Sequence, residues 1–345
     1  MKFKNLKKLA TMGALVSALT CMSKADTITN SVEESEIPVG TVKNIALANN
    51  QLLITSDDAM IGPVPVKLFS ADTNNLHAAF AAGDTSQLLF TNNIASVAYD
   101  GTATNAWYSL EGEHGVLGNM NVSKAALSSV GRRNSAEITS FPSPVLAAKD
   151  GHMWLSFIDP DTNEVWVVKY QINGNSNLVE TANNYWAGRE FSKIRSSATD
   201  GTNIWYAVTD KNGQDSILYL ELDSEEQGEQ GGIKSSCGVA LLGENVYAVS
   251  PDQKKLIRFE KDLNDNSRLN VADFGEDKVS AIASDGESVF AASESGDKIY
   301  KISPENSIQT IVLDRPQTTP IKKIIANEGS IYGATARSVL RARSK

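Results

Sequence analysis

The sequence predicts an all-β protein: a seven-bladed β-propeller of four-stranded antiparallel blades, its ring closed by an N-terminal strand. Three observations carry this. An apolar strand, a polar turn with Gly or Asn, and a second strand centred on an aromatic or Leu recur seven times along the 345 residues. An alanine precedes each turn, at Ala48, Ala98, Ala148, Ala198, Ala240, Ala283 and Ala326, at separations of 50, 50, 50, 42, 43 and 43 residues. Most units continue into a third apolar strand, and four short strands per roughly 40 to 50 residues is the period of a propeller blade.

The units follow in order. "IALANNQLLITS" starts at Ile45, "SVAYDGTATNAWYSL" at Ser96, "VLAAKDGHMWLSF" at Val145 and "SSATDGTNIWYAV" at Ser196. "GVALLGENVYAVS" starts at Gly238, "AIASDGESVFAAS" at Ala281 and "KIIANEGSIYGAT" at Lys323. The Asp-Gly pairs suit tight turns, because glycine takes positive φ without steric cost and aspartate tolerates it. Ile204-Trp205-Tyr206-Ala207-Val208 favours a pleated, buried surface. Third strands read as "VKLFS" from Val66, "VWVVKYQI" from Val165, "ILYLEL" from Ile217, "LIRFE" from Leu256, "KIYKI" from Lys298 and "VLRAR" from Val339; "IQTIVL" from Ile308 is the clearest fourth strand.

One such sheet cannot hide both faces alone, so the blades are expected to stack around an axis. Trp107, Trp154, Trp205, Tyr247, Phe290 and Tyr332 hold one equivalent position and are assigned to packing between blades; a carbohydrate-binding ring of aromatics is the sharper alternative. The seventh unit stops after its third strand, which would bare an edge. "DTITNSV" from Asp26 is expected to supply the missing strand. Residues 71–93, with "NNLHAAFAAGD", read as a loop or short helix, and 223–235, "DSEEQGEQGGIKS", as a flexible excursion. The expectation is one domain over 26–345.

Residues 1–25 read as a secretory signal peptide: Lys2, Lys4, Lys7 and Lys8, an apolar run from Leu9 to Met22, then Ser23-Lys24-Ala25 before the cut. Ala18-Leu19-Thr20 before Cys21 fits a lipoprotein signal poorly. The protein is thus expected to be exported, periplasmic or secreted, and of bacterial type. Without Cys21 only Cys237 remains, so stability must come from the core, and Cys237 reads as a small buried hydrophobe.

The signal holds five lysines and no acid, so residues 26–345 carry 27 basic and 41 acidic residues, a net of −14. That argues against a nucleic-acid partner, which needs a basic surface, and disfavours anionic membranes.

In a propeller the loops from second to third strand share one face with the entry to each blade; the Asp-Gly turns lie on the other. The searched loops carry Asp57 and Asp58; Glu111, Glu113 and His114; Asp159, Asp161 and Glu164; Asp210 and Asp215; Asp252; and Glu294 with Asp297. Oxygen-rich clusters suit Ca²⁺ or Mg²⁺, but acidic turn formers are ordinary in an acidic protein. Lys211, Lys254, Lys255 and Arg337 interrupt the ring, and the stretch from Asp159 is too short for an EF-hand loop. His114 beside Glu113 has the chemistry of a general base; a surface histidine in a turn is the plainer reading. "NNYWAGREF" from Asn183 precedes blade four, where Trp186 and Arg189 either meet a ligand or form the outer strand. No Gly-x-Ser-x-Gly, phosphate-loop, His-Glu-x-x-His or paired-Cys motif is present.

Asp100-Gly101, Trp107-Tyr108, Glu111 and Val116-Leu117-Gly118-Asn119 follow one another in blade two. This order resembles the repeat of the virginiamycin B (streptogramin) lyase family, and blades three and four keep its Asp-Gly and Trp parts. The resemblance implies a seven-bladed, Mg²⁺-dependent lyase with histidine as base, which would make His114 the base and Glu111 or Glu113 a metal contact. No second histidine stands in a matching loop. Gluconolactonase-like propellers, with an acidic metal centre, are similar to the same degree. The leading expectation is an exported module that binds a protein or peptide on its loop-rich face; the alternative is a metal-dependent lyase or lactonase.

Overall fold

The computed structural model describes residues 26–30, 32–36, 41–48, 51–57, 60–61, 64–65, 68–73, 76, 81–82, 94–100, 105–110, 117–121, 144–173, 177–186, 188–222, 226–263, 268–314, 317, 319–327 and 329–343. The expected signal peptide at 1–25 lies outside them, as does most of 71–93. No helix among the described residues is long and apolar enough to cross a membrane.

Seven antiparallel sheets form the seven blades. Blade four shows the pattern: Phe191–Thr199 lines the axis, then Ile204–Asp210, Asp215–Leu220 and Gln227–Gly231 follow outward in chain order. Every residue of Ile204–Asp210 is buried, because a central blade strand has a neighbouring sheet on each face and cannot alternate with water. Blade one comprises Thr41–Ala48, Gln51–Asp57, Leu68–Asp72 and Ala81–Ala82. Blade two has Ile94–Ala98, Asn105–Leu110 and Leu117–Asn121 among the described residues. Blade three runs Val145–Lys149, His152–Ile158, Val165–Asn173, Asn177–Trp186, and blade five Ala240–Leu242, Asn245–Val249, Lys255–Glu260, Leu269–Asp273. Blade six is Val279–Ser284, Val289–Ser293, Lys298–Ile302 and Ile308–Leu313. The innermost strands touch in sequence around the axis, and Lys323–Asn327 of blade seven returns to Thr41–Ala48 of blade one.

Blade seven confirms closure by an N-terminal strand but not the expected segment. Glu33–Glu36 pairs antiparallel with Ser338–Arg343, outside Ser330–Ala334 and Lys323–Asn327. Asp26–Asn30 instead lies parallel to Ile308–Leu313 as a fifth strand on blade six. The polar Glu-Glu-Ser-Glu run serves because a rim strand needs backbone hydrogen bonds more than an apolar face. Val32 supplies the anchor: it is buried among Ile311, Leu313, Ile324 and Leu340, and its N–H donates to Asp314 Oδ1 at 2.9 Å.

Each key aromatic faces the next blade. Trp107 packs on Met153 and Phe157 of blade three, Trp154 on Phe191 and Tyr206 of blade four, Trp205 on Val246 and Ile257 of blade five. Tyr247 meets Val279 and Val289, Phe290 meets Ile324 and Ile331, and Tyr332 meets Ile45 and Ile54. None is more than 5% exposed, so these rings fill the blade interfaces rather than line a sugar site.

The small residue opposite each aromatic is not always the alanine nearest the turn. Cross-strand partners are Ala98 with Trp107, Ala198 with Trp205, Ala240 with Tyr247 and Ala283 with Phe290, as expected. In blades one, three and seven they are Ala46 with Leu53, Ala147 with Trp154 and Ile325 with Tyr332, which displaces Ala48, Ala148 and Ala326 from the repeat. Turn length, together with the distance of the alanine from the turn, sets which residue takes the place. The blade-six turn leaves four residues between paired Ser284 and Val289, the blade-seven turn two between Asn327 and Ser330, and a one-residue slip exchanges the two faces of a strand.

The stretch 223–235 also differs from expectation. Gln227–Gly231 is the rim strand of blade four, and Ser235–Cys237 forms a 3-10 turn leading into blade five. Glycines and glutamines suffice there, again because the rim is held through its backbone.

Candidate functional site

The searched loops lie on the face where each inner strand begins. Asp57 ends its strand; Asp58, Glu111, Glu113 and His114 lie outside the described residues. Most of the others are engaged locally, and Glu294 lines the channel. Asp159 Oδ1 accepts the Asp161 N–H at 2.8 Å, and Glu164 Oε1 accepts the Gly188 N–H at 3.1 Å, while Asp161 is exposed. Asp252 accepts the Ser250 hydroxyl and the Lys254 N–H, and Asp297 the hydroxyls of Ser293 and Ser295. Among the described residues, no three His, Cys, Asp or Glu side chains gather as metal ligands do, so the described carboxylates do not form the converging oxygen cage that Ca²⁺ or Mg²⁺ takes.

Asp210 and Arg189 form a clamp at the entry to blade four. Arg189 Nη2 donates to Asp210 Oδ2 at 2.8 Å, its Nη1 to Glu229, and its guanidinium lies 5.6 Å from the Phe191 ring. Asp210 Oδ1 accepts the N–H groups of Asn212 and Gln214, each at 2.8 Å. The hydrogen bond from Arg189, with those two amides, holds the Asp210 carboxyl below the usual aspartate range. Trp186 ends the rim strand of blade three, half-buried against the core shared with blade four.

The groups that do converge are cations on the innermost strands. The strands surround a channel of about 1100 Å³. Lys43, Lys193, Arg195, Lys322 and Lys323 line its loop-rich end, with Glu294 and Gln253 from the loops; Lys149 and Asp285 sit at the opposite, turn-bearing end. The chain is acidic, yet among the described residues its channel lining carries six cations and two carboxylates.

β-Bulges contribute to this. Besides Ser192 at the very start of blade four, the ladder skips one residue in each of blades one, two, four and six: Lys43, Ala95, Arg195 and Ser280. A bulge adds a residue outside the ladder and re-aims its side chain. Each lies three residues before the small residue opposite the aromatic. The same offset in blade seven falls on Lys322, whose N–H and its neighbour's ladder position both engage Ala334.

Arg195 is held in place. Its Nε donates to Thr209 Oγ1 at 3.2 Å, and Thr209 Oγ1 donates to Asp215 Oδ1 at 2.8 Å. Ser235 adds its hydroxyl at 2.6 Å and its N–H at 3.2 Å to the same carboxylate. Burial alone would raise the Asp215 pKa; the bonds from Ser235 and Thr209, with Lys234 nearby, lower it instead, so it stays ionised behind Arg195. Lys323 Nζ reaches from blade seven to within 3.4 Å of the Arg195 carbonyl oxygen. Burial of its ammonium, with the charges of Lys193 and Arg195, holds its pKa below the ordinary lysine value. Among the described residues, Lys193, Arg195, Lys322 and Lys323 make no ion pair with a carboxylate. Sequence reading missed this site because it looked to loops; an offset of three residues from the repeat alanine marks Arg195 before Ala198 and Lys323 before Ala326, while Lys43, Lys193 and Lys322 stand at other offsets.

The fold and channel define a seven-bladed β-propeller, and solved structures place the chain in that class. No protein-family model matches it, and no curated protein matches it by sequence. It is similar to YCF48 bound to D1 peptide, at 11% identity and TM-score 0.62, covering 93% of this chain and 99% of that one. The RRP9 WD40 repeats align at 9% identity and TM-score 0.61, over 90% and 97% of the two chains. Virginiamycin B lyase from Staphylococcus aureus aligns at 14% identity and TM-score 0.57, over 90% and 98%. The resemblance to the streptogramin lyase repeat therefore holds at the level of the fold.

Proposed function

We propose that this chain is an exported binding module that takes a protein or peptide segment at the loop-rich mouth of its channel. The observation that carries the reading is the channel itself: about 1100 Å³, open between seven inner strands, and lined at one end by charged and hydroxyl side chains. Asp159, Glu164, Asp210, Asp215, Asp252 and Asp297 are spent on local turns and clamps, which leaves the channel mouth as the place with convergent polar groups. A similar propeller has been solved with a peptide bound, and that likeness supports the choice of ligand class. The N-terminal residues 1–25 support export.

Selection of a phage-displayed peptide library on the immobilised protein tests the site. Enriched peptides are expected to lose binding to the Ala95→Trp variant, which places a large ring in the channel. Failure to enrich peptides, or equal binding by the variant, would overturn the reading. Export is tested by expressing the full chain in a bacterium and sequencing the N-terminus of the exported material, expected to begin at Asp26.

A further inference from the structure

We propose that Lys193, Arg195 and Lys323 form a carboxylate seat, so that the module selects acidic peptide segments; this rests on the channel mouth being the peptide site. Three positive side chains from two blades on different sides of the ring share one end of the channel. Gathering like charges opposes folding unless something offsets it. Arg195 is fixed through Thr209 by Asp215, a pre-set guanidinium being suited to paired hydrogen bonds with a planar carboxylate. Ser280 presents a hydroxyl on the same ring, its Oγ donating to the Ile321 carbonyl at 2.7 Å. The depressed pKa of Lys323 agrees with this: a bound anion would relieve the repulsion that lowers it.

The sign of the surroundings narrows the ligand. Residues 26–345 carry a net of −14 although the channel lining is cationic, so the outer surface repels a polyanion such as nucleic acid. The reach of Lys323 to the Arg195 carbonyl spans the channel and limits its depth. A segment that is neutral or mixed in charge, with one or two carboxylates to insert, meets both conditions. The acidic exterior then works as a filter: it disfavours strongly acidic partners, and the recessed cations favour a single inserted acid.

Fluorescence anisotropy on the purified full chain tests this with labelled Gly-Ser-Xaa-Xaa-Ser-Gly peptides, Xaa being Glu, Gln, Lys or phosphoserine. Thermal shift with free glutarate serves as a second readout. The Glu peptide is expected to bind about tenfold more tightly than the Gln peptide, with the gap closing at high salt. Lys193→Gln combined with Lys323→Gln is expected to abolish that preference while the protein melts no lower than wild type. Equal binding of Glu and Gln peptides would overturn the carboxylate seat and leave the peptide reading standing. Binding of phosphoserine without Glu would also overturn the seat. Stabilisation by glutarate that needs both lysines, with no peptide bound, would support the seat and overturn the peptide reading. No response to any probe would overturn both.

Discussion

Lys323 Nζ on blade seven lies 3.4 Å from the backbone carbonyl of Arg195 on blade four. Lys193 and Arg195 are the charges that act on it, and both are positive. The ring of blades thus holds a repulsive centre in a fold whose stability comes from the apolar interfaces around it. A group kept where it opposes folding is a common mark of function.

Replacing Lys323 by Met keeps an unbranched side chain one atom shorter and removes its charge. The folded pKa of Lys323 is below the unfolded value, so the unfolded state binds more protons between the two and wild-type stability rises with pH there. Below that window the repulsion is fully present. Lys323→Met is therefore expected to raise the melting midpoint at pH 7 by a few degrees. Its advantage should shrink as pH climbs toward the unfolded lysine value of about 10.4. Thermal melts from pH 7 to 10.5 check this; a midpoint below wild type at pH 7 would contradict it.

The Asp-Gly turn of blade four gives the opposite sign. Asp200 Oδ1 accepts the N–H groups of Thr202 and Asn203 at 3.0 and 2.9 Å, and Oδ2 binds Lys261 Nζ at 2.8 Å. Lys261 also lies 5.7 Å above the Trp205 ring, and its carbonyl accepts the Trp205 Nε1–H at 2.8 Å. Burial pushes the Asp200 pKa up, but the amides and Lys261 outweigh it and the net shift is down. Stability from this group is complete above the unfolded aspartate value of about 3.9 and is lost as pH falls through the lower folded value. Asp200→Ala is expected to cost about 1–3 kcal/mol at pH 7. Asp200→Asn, which keeps an acceptor for the turn, should cost less. Both deficits should shrink in urea titrations run below pH 4.

Cys237, three residues before Ala240 in the turn that leads into blade five, tests the packing there. It is buried, its Sγ donates to the Val279 carbonyl at 3.2 Å, and Gln253 Nε2 approaches the sulfur at 3.7 Å while binding the same carbonyl at 2.9 Å. Burial pushes its thiol pKa up to about 11. The thiolate is the reactive form. Alkylation by iodoacetamide at pH 8 is thus expected to be at least about a hundredfold slower in the native protein than in urea. Native labelling at the unfolded rate would show that this end of the channel opens readily.

The blades were legible because most interfaces use the same pair, a small residue opposite an aromatic or Leu, seven residues apart in Ala240 and Tyr247 or Ala283 and Phe290 and nine in Ala98 and Trp107. That demand writes itself into sequence through burial. Rim strands make no such demand. Gln227–Gly231 and Glu33–Glu36 therefore read as polar connections, although their backbones complete two sheets. The channel site was hidden for a different reason. Lys43, Arg195 and Lys322 are far apart in sequence and are matched by Ala95 and Ser280 in other blades, so no local motif marks them. Only the shared offset from the residue opposite the aromatic or Leu, and the ring that closes it, brings them together. The prominent loop carboxylates Asp210 and Asp215 proved to anchor Arg189 and, through Thr209, Arg195.

Ring closure separates the two N-terminal strands by consequence. Deleting residues 1–31 removes Asp26–Asn30, a fifth strand on a blade that already has four. Deleting 1–36 also removes Val32 from the core between blades six and seven and strips Glu33–Glu36 from Ser338–Arg343. It takes with it the pairing of Glu33 with Arg341 at 3.5 Å and of Glu34 with Gln317 Nε2 at 3.2 Å. The shorter deletion is expected to shift the urea midpoint little. The longer one is expected to lose about 3 kcal/mol or more, from one buried valine and a strand's worth of hydrogen bonds. It should also self-associate through the bared edge of Ser338–Arg343. Sedimentation velocity and urea unfolding of both cytoplasmically expressed deletions distinguish these outcomes, and a synthetic peptide of residues 31–37 added in excess is expected to restore the monomer. Equal stability of the two deletions would show that Glu33–Glu36 does not close the ring.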